Sequence, residues 1–269
     1  MNKTVVLTAL LSLFAATSSF AEHKLLVTDV PNPGSFEARL DASYSRAEFK
    51  NDLDEKLVDE RTGAALTVAA GVIEGLKLSA SLPYTFAQHA EGTSIDGFGD
   101  LTLGARYALT KSLVKLPFDA AVGIDWKLAS ASDKAGRPGT GRNDYAPYLA
   151  LSKNHHVYIP YFKYQPEFIV REHAGQTIHN LTLGTEIEFS HHYSLDVALK
   201  AAFNNAHEGL KSSNDYEVEV APYINLAKNI YLLPKVAYKF IGDIEDTAGT
   251  KLVKNAGEYT VGVGVYCLF

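Results

Sequence analysis

The chain ends on a segment, Gly257 to Phe269, in which large apolar side chains alternate with small or polar ones. Tyr259, Val261, Val263, Val265, Cys267 and Phe269 fall on one side, and Glu258, Thr260, Gly262 and Gly264 on the other. A period of two belongs to an extended strand, whose successive side chains point to opposite faces. One such strand decides little, because a soluble sandwich alternates in the same way. The constraint comes from repetition.

The pattern begins at Phe36, Ala38, Leu40, Ala42 and Tyr44, set against Glu37, Arg39 and Asp41. Leu76 to Phe86 alternates with Lys77, and Leu101 to Leu109 with Asp100 and Arg106. Phe118 to Leu128 alternates with Asp119, Asp125 and Lys127, and Leu181 to Phe189 with Glu186 and Glu188. Leu195 to Phe203 opposes Asp196 and Lys200; Tyr216 to Leu226 opposes Glu217 and Glu219; Leu232 to Phe240 opposes Lys235 and Lys239. With the intervening segments this predicts about 12 strands, an even number as single-chain outer-membrane barrels require.

The connections are sorted by length. Short ones are expected at 73–75, 152–156, 190–192 and 227–229, and long, charged, Gly-rich ones at 50–58, 87–97, 130–142, 205–214 and 242–255. Short turns on one rim and long loops on the other describe the periplasmic and extracellular ends of an outer-membrane barrel, with both termini periplasmic. Aromatics fall near both rims of the apolar face, with Phe36, Tyr107, Phe118, Tyr193 and Phe269 at one and Tyr84, Phe86, Phe98, Phe203, Phe240 and Tyr259 at the other. The expected fold is all-β, a transmembrane antiparallel up-and-down barrel.

The front end fits export. A basic start at Lys3, an apolar run Val5 to Ala16 and small residues before Glu22 read as a signal peptide, 1–21, cut after Ala21. Residues 22–33 then form a periplasmic lead-in, far too small for a plug domain, and 34–269 the barrel. Glu22 in place of a cysteine argues against a lipid anchor, and the single Cys267 cannot form an intramolecular disulfide. Losing Lys3 takes the net charge from −6 to −7, which argues against a nucleic-acid partner. Mean hydropathy of −0.05 excludes a helical membrane protein, whereas barrel strands hide in such averages because their two faces cancel.

Asp96-Gly97-Phe98-Gly99-Asp100-Leu101-Thr102-Leu103-Gly104-Ala105-Arg106-Tyr107, preceded by Leu76 to Tyr84, carries a family likeness. It resembles the outer-membrane family named for a MetA pathway of phenol degradation. The terminal strand ending on Phe269 likewise resembles the last strand of outer-membrane barrels, where a C-terminal Phe is read by the barrel-assembly machinery. These resemblances imply a transporter-like barrel covering the mature chain and passing small organic or aromatic compounds. No cofactor is expected for such a passive channel.

Function is expected on the polar face. By parity the lumen carries Glu37, Asp41, Asp100, Asp119, Asp125, Asp144, Glu167, Glu186, Glu188, Asp196, Glu217, Glu219 and Glu258 against Arg39, Lys77, Arg106, Lys127, Lys163, Lys200, Lys235 and Lys239. Most of these are expected to pair across strands and brace the wall, and the acidic excess suggests a weak preference for cations. Twelve strands at roughly 6 Å of circumference each give a backbone cylinder of about 24 Å, with about 10–14 Å left inside. At that size long side chains or an infolded segment decide whether the lumen is open.

Two other classes compete. His192-Tyr193-Ser194 resembles the His-x-Ser of outer-membrane lipid A deacylases, but it falls at a short turn with no carboxylate evident on the following strand. A non-conducting barrel displaying adhesive loops has no specific signal. His155-His156 and His191-His192 are polar turn residues rather than a metal site, and Asn51 to Glu60 lacks the ligand spacing of a calcium loop. The favoured expectation is a passive, non-enzymatic channel whose partners are outer-membrane lipids, the assembly machinery and a small solute.

Overall fold

A computed structural model describes residues 26–90, 93–109, 117–132, 137–170, 176–190, 192–207 and 209–269. The expected signal peptide and His191 lie outside these. The strands are β1 (Phe36–Lys50), β2 (Lys56–Ile73), β3 (Leu76–Ala90), β4 (Thr93–Phe98), β5 (Thr102–Ala108), β6 (Asp119–Lys127) and β7 (Asn143–Ser152). They continue as β8 (Tyr158–Val170), β9 (Gln176–Ser190), β10 (Tyr193–Asn204), β11 (Ser213–Ala227), β12 (Ile230–Ile241), β13 (Ile244–Glu245) and β14 (Lys251–Leu268).

The strands form an antiparallel meander, and β14 returns to pair with β1. The short β4 pairs with β3 above β5, and β13 pairs with β14, so neither counts as a wall strand. The result is a closed antiparallel β-barrel of 12 strands. Closure pairs with each other the two wall strands, β1 and β14, that would otherwise be edges. At the seam, Phe269 N–H donates to the Phe36 carbonyl at 2.8 Å, and Phe36 N–H donates to the Phe269 carbonyl at 3.1 Å.

The period of two sorts the residues as the sequence suggests. Leu40, Leu199 and Val236 are more than half exposed on the outward face, part of an apolar surface that runs round the barrel. Aromatic clusters mark its long-loop side: Tyr84 meets Phe98 edge-on at 4.9 Å, Tyr238 meets Phe240 at 4.7 Å, and Trp126 stacks on Tyr145 at 5.7 Å. Phe36, Tyr158, Phe189 and Tyr193 stand exposed near the short-turn side. Tight turns there use left-handed residues, Gly75 (φ 78°), His156 (φ 61°) and Asn229 (φ 63°).

Two expectations need correction. Segments 50–58, 87–97 and 242–255 are not simple loops: β1, β2, β3 and β14 run on into them, β4 begins in the second and β13 lies within the third. The apolar alternation fades there, but a ladder needs only backbone groups, and polar side chains can pair across it. Arg46 bonds Glu48 at 2.9 Å and contacts Glu60 at 3.3 Å, and Lys56 reaches Glu48 at 2.6 Å. The sorting of connections also has an exception, since 109–118 joins β5 to β6 on the short-turn rim.

The described part of the lead-in, residues 26–33, packs against the inner face of β2, β5 and β7. Arg106 on β5 donates to the carbonyls of Asp29 (3.1 Å) and Leu26 (3.4 Å), and Thr28 hydrogen-bonds Ser152 on β7 at 2.7 Å. Val30 is buried. Gly71 on β2 makes this possible: any side chain there would overlap the main-chain carbonyls of Pro31 and Asn32.

Candidate functional site: the barrel interior

Strand register places Glu37, Arg39, Asp41, Lys77, Arg106, Asp125, Lys127, Glu186, Glu188, Asp196, Lys200, Glu217, Glu219, Lys235, Lys239 and Glu258 on one face, opposite the exposed apolar residues. Asp119 shares that face at the exposed short-turn end of β6. In an antiparallel pair, directly opposed residues share a face, so the register itself brings charges together. Lys200, Glu217, Lys239 and Glu258 stand in one row across β10, β11, β12 and β14. From this row Lys200 contacts Glu217 and Glu219, both at 2.9 Å, and Lys239 contacts Asp215 at 2.9 Å.

The opposite wall is built differently. Lys77 pairs with Glu37, and Lys127 pairs with Asp144, which Arg142 also approaches at 3.2 Å. Arg39 contacts Asp41 at 2.8 Å along the same strand. Beside the inserted lead-in, a cavity of about 440 Å³ is lined by Glu37, Arg39, Asp41, Lys77, Arg106 and Tyr266 among others.

Asp100 departs from its expected place. It lies in the connection between β4 and β5, not on a wall strand, and is almost fully buried. Its Oδ1 accepts the N–H groups of Ser130 (3.1 Å) and Ala131 (2.9 Å); its Oδ2 accepts Thr140 N–H (2.8 Å) and Oγ1 (2.6 Å). Burial pushes the carboxyl up, but the hydrogen bonds from Thr140, Ala131 and Ser130 outweigh it and hold the group below the usual carboxylate range. Asp100 therefore fastens the β6–β7 loop.

Inward tyrosines are the feature that charge-based reading passed over. Tyr148 and Tyr161 lie flat over glycines: a Cβ on Gly123 or on Gly184 would overlap their rings. Tyr161 donates to both Asp196 oxygens, at 2.9 and 3.0 Å, and Arg106 Nε donates to the Tyr148 hydroxyl at 3.0 Å. At the short-turn end Leu233, Tyr266 and Leu268 form an apolar cluster joined by Tyr223 and Tyr231. Parity could have found Tyr161, which shares its face with Lys163.

The deacylase-like pair is not assembled for hydrolysis. Ser194 points inward and donates to Glu186 Oε1 at 2.6 Å, a carboxylate on the preceding strand, while His192 sits in the exposed turn. A serine nucleophile needs its proton directed at a base held by a third group. Among the described residues no cluster of three or more His, Cys, Asp or Glu is arranged to hold a metal ion.

Neither a protein-family profile nor a curated protein matches the chain. Solved structures do. It is similar to a COG4313 outer membrane channel from Pseudomonas putida F1, with TM-score 0.70 at 12% identity over 92% of this chain and 100% of that one. It is also similar to the NanC porin (TM-score 0.51, 12% identity, 83% and 98% covered). The translocator domain of the autotransporter NalP from Neisseria meningitidis is a further likeness (0.52, 10% identity, 88% and 89% covered). At such identities the likeness is one of fold, that of outer-membrane barrels.

Proposed function

We propose that the protein is an outer-membrane channel that passes small solutes passively through a charged, net acidic lumen. The observation that carries this reading is a closed barrel that is apolar outside and charged inside. A closed barrel satisfies every backbone group without water, the condition for crossing a bilayer with strands, and the apolar belt between aromatic rings fits the hydrocarbon layer. The structural likeness to channels and porins supports it. The Asp96 to Tyr107 motif supports membership of the phenol-degradation family and hence small organic or aromatic solutes.

The paired charges line the route in this reading, and the lead-in narrows it at the periplasmic end. No energy coupling or cofactor takes part. Purified protein in liposomes tests the proposal by osmotic swelling with neutral solutes of graded size. Swelling that falls off within the smallest solutes is the expected result; rates equal to empty liposomes for every solute would overturn it.

A further inference from the structure

Most interior charges are cancelled by a partner, and two cations on the β5–β8 wall are not. Lys163 lies 4.4 Å from the centre of the Tyr148 ring, and Arg106 Cζ lies 5.7 Å from it. Among the described residues neither has a carboxylate within 4.0 Å, and Lys163 donates no hydrogen bond. Asp125, the carboxylate that acts most strongly on Lys163, is held instead by the neutral Gln165 amide at 2.8 Å. The Tyr148 hydroxyl accepts from Arg106, so its own proton is left to donate.

We propose that Lys163, Tyr148 and Arg106 form a binding site inside the barrel for a small carboxylate. The ammonium and the hydroxyl proton are unspent donors on one ring, and the guanidinium adds a second positive charge beside them. Two contacts hold Tyr148 in position, since its ring lies against Gly123 and Arg106 Nε donates to its oxygen. Arg106 also lines the 440 Å³ cavity beside the lead-in. Nearby Asp125 repels an anion in proportion to its charge and so disfavours a multiply charged one relative to a monoanion, and the two donors match the two oxygens of a carboxylate. This deepens the channel reading by naming a solute class, and depends on that reading for delivery of the ligand, not for its binding.

The test is calorimetric titration of the folded barrel in detergent with sodium propionate, and with neutral propionamide as the isostere. Propionate is expected to bind and propionamide not. Lys163→Met keeps the stem over the ring and removes the charge; it is expected to weaken binding by about tenfold or more, as loss of a charge-assisted hydrogen bond does. Tyr148→Phe is expected to weaken it severalfold, and Lys153→Met, on an exposed turn, to leave it unchanged. Heat-modifiable mobility shows that each variant has folded. No propionate binding by the parent barrel, or equal affinity in folded Lys163→Met, would overturn the site. A barrel that binds propionate but fails to swell liposomes keeps the site and loses the channel.

Discussion

Asp100 accepts four hydrogen bonds from a loop that is some 30 to 40 residues further along the chain. Because its folded pKa lies below its unfolded value, the stabilisation is complete above the unfolded value near 4 and is lost as pH falls through the folded value. Asp100→Asn turns one acceptor oxygen into an NH₂ facing two donors. It is expected to cost about 1–3 kcal/mol of local loop stability at neutral pH, because buried N–H groups lose their partners. Hydrogen exchange at Ala131 and Thr140 reads this, with faster exchange expected in the variant and unchanged protection contradicting the fastening. The family-like motif made Asp100 visible in the sequence, but its role was not legible. Parity puts a residue on a face only while the strand continues, and here the strand breaks between Phe98 and Thr102.

At the scale of elements, the wall strands were readable because each has one face that water must leave and one that it does not. Phe36 to Tyr44 and Leu195 to Phe203 carry that contrast residue by residue. At Arg46, Glu48 and Lys50, opposite Glu60, Val58 and Lys56, the outward face turns polar and its apolar run stops while the ladder continues, so the ends of the strands were lost with it. The inserted lead-in was hidden for a different reason. Val30-Pro31-Asn32-Pro33-Gly34 has no period, and its seat is Gly71 and Arg106, residues about 40 and 75 positions away. Gly71→Val is expected to overlap the Pro31 and Asn32 carbonyls and cost about 1–3 kcal/mol, as overpacking does. The segment should then leave the barrel, shown by faster proteolysis within 26–33 and larger conductance. An equally protected lead-in would contradict its seating on Gly71.

At the scale of the whole molecule, closure rests on one seam between the first and last wall strands. Phe269 contributes the final two backbone bonds of that seam and shares the outward face with Cys267 and Val265. We propose that it also serves as the signal read by the barrel-assembly machinery. Deleting Phe269, or Phe269→Asp, is then expected to lower the amount of heat-modifiable barrel in cells while sparing the conductance of protein that inserts. Normal levels in both variants would contradict the signal.

Passage of solutes through the lumen is the property on which the proposed function stands. Insertion of the purified barrel into planar lipid bilayers tests it most directly. A conducting lumen gives discrete single-channel steps that scale with salt concentration, and a reversal potential under a salt gradient showing modest cation preference from the acidic excess. Bilayers that contain folded barrel and stay silent at every voltage and salt concentration would contradict it.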